Sequence, residues 1–247
     1  MRVDSRLITI PAMTAIVGMA MAAGASGARA QQPAGGGLLA EAVKVKLESI
    51  KQAAAANRAA LSQYTWTESV QVSLNGEVKT TKQMSCRNGV DGKPQCTPVG
   101  PPPAQEQPRG LIGKIKAEKK EEYADYIRQV KALISTYVPP DAAKMQAAHE
   151  AGNVSLSQPG AGAAGLVFKN YSLPGDSMTL DFAMATHKLT ALAVKSYLGD
   201  AASAVTLAVQ FATLPDGTNY PAQQTINAAA KGIHLLITNA NYQKIPS

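Results

Sequence analysis

The chain has 247 residues, a formal net charge of +7, a hydrophobic content of 45% and a charged content of 17%. This composition excludes a disordered chain and fits one large or two small globular domains. The positive excess does not indicate a nucleic-acid-binding protein, because the lysines are dispersed or interleaved with glutamates. It leaves open a peripheral contact with anionic lipid head groups.

The N-terminus is typical of a secretory signal peptide. Two arginines precede a nearly uncharged stretch from Leu7 to Ala23, and Ala28-Arg29-Ala30 has the small-x-small form of a cleavage site. We therefore predict a signal peptide over residues 1–30, cut after Ala30, and a periplasmic or secreted location. An uncleaved membrane anchor is the alternative. Residues 31–37 are polar and glycine-rich and are expected to be a disordered lead.

The next segment has the spacing of an amphipathic helix. Its apolar residues recur every three, four or seven positions, and no proline or glycine interrupts them, which predicts a helix of about six turns. These apolar residues are Leu39, Val43, Leu47, Ile50, Ala54 and Leu61. The helix opens a predicted single domain over residues 38–247 and is a candidate cover for a sheet.

Two hairpins are predicted after this helix. Tyr64 to Leu74 alternates apolar and polar residues, and Asn75-Gly76 is a strong hairpin signal. A return strand is expected from Val78 to Cys86, then a turn and a short strand from Gln95 to Val99.

The two cysteines, Cys86 and Cys96, are placed symmetrically about Asp91. A hairpin centred there brings them opposite each other, and in an oxidising compartment such a pair is expected to form a disulfide. A redox or metal site is the alternative, but the spacing is not CxxC and no histidine is near in sequence.

A proline-rich connector at 98–108 separates the hairpins from a helical insert at 111–151. The connector is expected to run in extended polyproline form, as a linker or as a ligand for an aromatic groove. The insert is predicted to contain a helix from Leu111 to Tyr137, stopped by two prolines. A shorter helix follows, with Asp141 as its N-cap.

The remainder is predicted to be a series of β-strands joined by turns. After a weak strand, a flexible Gly/Ala tip at 160–165 and a short strand, apolar residues alternate from Met178 to Met184 and in two later segments, from Val205 to Phe211 and from Ile233 to Ile237. Hairpin turns with the helices segregated between two runs of strands predict an α+β fold with an antiparallel sheet.

The sequence shows no catalytic signature. His149, His187 and His234 are not at metal-ligand spacing, and the chain has no G-x-S-x-G elbow, P-loop or dinucleotide-binding glycine motif. Most aspartates fall at turns, where their side chains bond the backbone. We therefore predict no catalytic residue, metal or cofactor, and a binding module rather than an enzyme. A carboxylate pair brought together from distant elements stays open.

The order of elements resembles the lipoprotein-carrier fold of the bacterial envelope, that of the outer-membrane lipoprotein sorting proteins. The segments 63–68, 214–220 and 239–244 also resemble those of uncharacterised exported bacterial proteins. The resemblance implies a curved antiparallel sheet, an open half-barrel, covered by the N-terminal helix and the helical insert around a hydrophobic cavity. It also implies binding of acyl chains, either of lipoproteins or of lipids.

On that basis the apolar sheet face is the candidate ligand site. The residues predicted to line it are Met178, Leu180, Phe182, Val205, Leu207, Phe211, Ile233 and Leu235. The hypothesis is an envelope protein that binds a hydrophobic or lipid-like ligand non-covalently, as a carrier or sensor. The alternative is a filled core in a protein–protein interaction module of the envelope, which would use the proline-rich connector or a sheet edge.

Overall fold

The structure is a computed structural model, and it describes residues 52, 55–89, 92–100 and 111–246, without the side chains of 111–120. The predicted signal peptide, the lead, most of the N-terminal helix and the connector from residue 101 onward lie outside the described residues. Their predictions stay predictions.

The described part of the chain contains ten β-strands, three α-helices and a short 3₁₀ helix (Ala229–Lys231). The strands are β1 (Tyr64–Leu74), β2 (Glu77–Asn88), β3 (Pro94–Pro98), β4 (Val154–Ser157), β5 (Ala163–Lys169), β6 (Ser177–Ala183), β7 (Leu189–Tyr197), β8 (Ala204–Thr213), β9 (Asn219–Ala228) and β10 (Ile233–Lys244). The helices are α1, described over 55–61, α2 (Leu111–Ile134) and α3 (Ala142–Glu150). None of the described helices is long and apolar enough to span a membrane.

All ten strands form one antiparallel sheet in the order β3-β2-β1-β10-β9-β8-β7-β6-β5-β4. Every strand pairs with its neighbour by antiparallel hydrogen bonds, and the edge strands β3 and β4 do not pair with each other, so the sheet is open. The predicted α+β class with an open antiparallel sheet is confirmed.

One face of this sheet carries the core. Because side chains alternate along a strand, residues directly opposite each other share a face. Seven adjacent strands contribute one apolar residue each to a row across this face, which consists of Phe168, Met178, Val194, Leu207, Ile226, Leu235 and Val72. All seven are buried. We call this the apolar row.

The helical insert packs on the same face. Ile134 of α2 and Met145 of α3 belong to the same hydrophobic cluster as the apolar row. Asp141 caps α3 as predicted, since its side chain accepts hydrogen bonds from the N–H groups of Ala143 and Lys144.

Three local predictions were wrong at their boundaries. The helix α2 ends at Ile134 rather than Tyr137, and a turn follows. The strand β5 begins at Ala163, inside the predicted flexible tip, because its backbone pairs with β6. Met184 is past the end of β6 and is 59% exposed, so it does not join the apolar face.

The predicted disulfide is confirmed. Cys86 of β2 and Cys96 of β3 are directly opposite each other in the sheet and are bonded through their sulfur atoms. On the chain-entropy model, closing this short loop stabilises the fold by about 3 kcal/mol.

Candidate functional site

The structure brings the predicted ligand residues together. Seven of the eight are at most 7% exposed, Phe211 is half-buried, and all eight belong to or pack against one hydrophobic cluster. Met178, Leu207 and Leu235 share the apolar row, while Val205 and Ile233 flank Ala228 in the next row.

The insert covers one end of this face. The Tyr137 hydroxyl, just after α2, is 2.7 Å from the Ser196 hydroxyl, and Ser196 is the cross-strand partner of Val205. Nearer the start of α2, Glu122 forms an ion pair with Lys231, between β9 and β10. The insert therefore crosses the end of the face to which Val205 and Ile233 belong.

A buried aspartate ties the insert to the sheet. Asp176 accepts hydrogen bonds from the Tyr137 hydroxyl at 2.6 Å and from the backbone N–H groups of Tyr171 (2.6 Å), Ser172 (3.0 Å) and Leu173 (2.7 Å). Burial and then this aspartate raise the pKa of Tyr137. Since both carboxylate oxygens have donors, this cluster, which we call the Asp176 knot, is structural.

The other end of the face contains a buried glutamate without such support. Glu68 is in phase with Trp66 and Val70 along β1, so its side chain is on the buried face. It is 4% exposed and its Oε1 has no hydrogen-bond partner. Burial raises its pKa from 4.5 to about 7, as expected for a carboxyl that exchanges water for an apolar environment.

Two further polar side chains beside Glu68 are also unsatisfied. Asn239 is the cross-strand partner of Glu68; its Nδ2 donates to the Pro221 carbonyl at 2.9 Å, but its Oδ1 has no partner. The Trp66 Nε1 has none either. All three side chains are more than nine-tenths buried. We call Trp66, Glu68 and Asn239 the polar trio.

Aromatic rings pack beside Trp66 of the trio. The Tyr242 ring stacks on the Trp66 ring, with their centroids 5.6 Å apart. The ring centroids of Tyr220 and Tyr242 are 4.4 Å apart. Burial, followed by Tyr220 and Glu68, raises the pKa of Tyr242. The trio therefore occupies a desolvated, aromatic-walled end of the apolar face.

The disulfide is adjacent to the trio. A carboxylate oxygen of Glu68 and the sulfurs of Cys86 and Cys96 are within 4.8 Å of one another, which is the only such group of possible metal ligands among the described residues. Because the sulfurs are bonded to each other, neither is the thiolate that a metal needs. The disulfide acts here as an apolar wall.

The described end of α1 docks at the same end of the sheet. Asn57 exchanges two hydrogen bonds with the backbone of Asn219 on β9, and Asn88 on β2 donates to the Leu61 carbonyl. The strands β1 and β10 lie between these two anchors in the sheet. The end of the predicted covering helix is thus fixed close to the trio-bearing strands.

Sequence reasoning missed Glu68, Asn239 and Trp66. The signal was present, because Glu68 is at an apolar-phase position between Trp66 and Val70 in an alternating strand. A charged residue in that phase predicts a buried charge, which calls for a partner. Of the three histidines, His149 and His187 are exposed and His234 is half-buried.

No protein-family model matches this chain, and no curated protein matches it by sequence. Among solved structures, it is similar to a LolA superfamily protein from Nitrosomonas europaea, with 10% identity and a TM-score of 0.38, over 81% of this chain and 94% of that one. It is also similar to a DUF1329 family protein from Desulfovibrio piger, with 10% identity and a TM-score of 0.36, over 82% of this chain and 92% of that one.

Proposed function

We propose that this protein binds a hydrophobic, lipid-like ligand non-covalently on the apolar sheet face and acts in the bacterial envelope as a carrier or sensor. The observation that carries the proposal is the polar trio. Buried polar atoms in native proteins nearly always have a hydrogen-bond partner, and here three adjacent side chains lack one. A missing partner beside an apolar surface is the pattern that a bound amphiphile would complete.

The change in polarity along the face supports the same proposal. The apolar row contains no polar residue. Two positions further along β9 is the buried Gln224, and beyond it Glu68 pairs with Asn239 across β1 and β10. A ligand with an alkyl chain and a polar end would match this order, at about 0.8 kcal/mol for each buried CH₂.

One observation favours the alternative, a protein–protein interaction module. The edge strand β4 has no charged residue or proline, and its Leu156 is 69% exposed. Natural sheet edges are usually protected by such residues, as β3 is by Pro94 and Pro98. An unprotected edge suits the addition of a strand from another protein.

Native mass spectrometry of the mature protein, purified from the envelope of its own host, separates the two functions. A stoichiometric lipid or acylated peptide on the protein would support the carrier function and give the ligand class. A clean apo mass, together with no thermal shift from fatty acids or phospholipids, would eliminate it in favour of the interaction module.

The substitution Leu207→Trp tests whether the ligand contacts the apolar row. Leu207 is 1% exposed in the middle of that row. We expect the variant to lose ligand binding while its stability stays close to that of the wild type. In a filled core, the same change costs about 1–3 kcal/mol through overpacking. Urea denaturation and a binding titration give both values.

Leu156→Trp is the matched control for this variant, since it makes the same replacement at an exposed leucine. It is expected to change neither stability nor ligand binding. A Leu207→Trp protein that is destabilised and still binds ligand would place the ligand elsewhere.

A further inference from the structure

We propose that the polar trio is a head-group site that takes the protonated primary amine of an amphiphile whose chain lies on the apolar row. This inference rests on the proposed function and specifies its ligand class. The unsatisfied atoms define the chemistry: two acceptors, Glu68 Oε1 and Asn239 Oδ1, and one donor, Trp66 Nε1. A group that fits the two acceptors must donate at least two hydrogen bonds, and the indole N–H needs an acceptor elsewhere on the ligand.

The two acceptors are positioned to share one donor group. Glu68 and Asn239 are directly opposite each other on β1 and β10, and such partners have Cβ atoms about 5 Å apart. An ammonium group has three N–H donors and no acceptor, so it can reach both oxygens and leave one donor for another ligand atom. A carboxylate head has no donor, and it would bring a second negative charge beside Glu68.

The surroundings favour a cation over a neutral hydroxyl. The trio lies beside the stacked rings of Trp66 and Tyr242, with Tyr220 next to them. Proteins bind ammonium groups with aromatic walls and a carboxylate, because the ring faces and the anion both attract positive charge. Burial accounts for the raised pKa of Glu68, so a bound cation would give its carboxylate a charge partner.

Ordered water is the competing occupant of the site. Water also donates to two acceptors and accepts from an indole N–H, and buried waters typically satisfy such groups. A water-filled site does not distinguish one amphiphile head from another, which makes head-group selectivity the decisive measurement.

The test uses three amphiphiles with the same dodecyl chain, below their micelle concentrations, on the full mature protein. Dodecylamine has charge and N–H donors, dodecyltrimethylammonium has charge without donors, and dodecanoate has the opposite charge. Isothermal titration calorimetry gives the affinities. Trp66, the single tryptophan of the chain, reports occupancy of the site through its emission.

We expect dodecylamine to bind about tenfold or more tightly than the other two, which is the scale of a charge-assisted hydrogen bond. This preference should disappear in Glu68→Gln, which keeps the shape and removes the charge, and in Asn239→Leu as a second variant. Glu77→Gln, at an exposed glutamate of β2, is the control that should keep it.

The outcomes separate the two proposals. Equal affinities for the three amphiphiles, unchanged in Glu68→Gln, would overturn the head-group site and leave the proposed function standing. Binding of none of them would remove both. Ethanolamine, an amine without the chain, is expected not to bind; if it bound as tightly as dodecylamine, the ligand would be a soluble amine and not an amphiphile.

Discussion

Two buried carboxylates in this protein have opposite surroundings. Asp176 is 2% exposed and accepts hydrogen bonds from one tyrosine hydroxyl and three backbone N–H groups. Glu68 is 4% exposed and its Oε1 accepts none. The cost of burying a charge is large in both places. Among the described residues, the Asp176 knot meets this cost with four hydrogen-bond donors, whereas Glu68 Oε1 has none.

The difference follows from where each residue is in the chain. Asp176 ends a turn, and the N–H groups of residues 171–173 point at its side chain because no strand uses them. Glu68 is in the middle of β1, between β2 and β10. The backbone groups around it are committed to the sheet, so only side chains or a ligand can satisfy it.

Removing the carboxylate of the Asp176 knot is expected to give the largest loss of stability. Asp176→Ala leaves the Tyr137 hydroxyl and three backbone N–H groups without their acceptor, which should destabilise the protein by about 3–5 kcal/mol. Urea denaturation measures this. The control is Asp200→Ala at an exposed turn with two backbone donors, expected to cost about 1 kcal/mol or less. Equal losses would mean that the knot contributes nothing beyond an ordinary turn.

Neutralising Glu68 is expected to raise the stability of the protein, by an amount that depends on pH. The pKa of Glu68 is about 7 in the folded protein and 4.5 in its unperturbed state. The folded state therefore holds the proton more tightly, and the wild type loses stability as the pH rises from 4.5 through 7.

Glu68→Gln does not titrate at this position. Without ligand, it should match the wild type near pH 4 and be more stable by up to about 3 kcal/mol near pH 8. The other titratable group identified beside Glu68 is Tyr242, whose raised pKa keeps it neutral over this range. Urea unfolding at both pH values checks the prediction, and parallel pH profiles for the two proteins would contradict it.

The smallest expected loss of stability comes from removing the Tyr137 hydroxyl of the Asp176 knot. Tyr137→Phe removes a donor to Asp176 and a partner of Ser196, but three backbone donors remain on the carboxylate. The expected loss is about 1–2 kcal/mol, measured by the same denaturation. A loss as large as that of Asp176→Ala would show that the tyrosine, rather than the turn, holds the aspartate.

The local elements could be predicted from the sequence because their signals are local. Alternation identified the strands from Tyr64 to Leu74 and from Ile233 onward, and Asn75-Gly76 marked their first turn. The symmetric placement of Cys86 and Cys96 gave the disulfide. Strand β5 was recognised too late in the chain, since Gly and Ala have low strand propensity and only pairing with β6 makes 163–165 extended.

The pairing of β1 with β10 could not be predicted, because no short-range feature joins the two ends of a chain. The trio depended on that pairing: Asn239 becomes a neighbour of Glu68 only when β10 lies beside β1. Periodicity grouped the eight apolar residues, and all eight belong to or pack against one hydrophobic cluster. Periodicity does not say which polar residues of that face have partners, and this is the information that identifies the candidate site.

The pairing of β1 with β10 also determines when the sheet can be completed. Val70 pairs with Ile237, although one belongs to the first strand and the other to the last. During synthesis, the side of β1 that faces β10 stays unpaired until β10 has been made. Contacts between distant parts of a chain form slowly. The sheet is therefore completed only after β10 has been synthesised, so folding of the sheet stays incomplete until that strand is available.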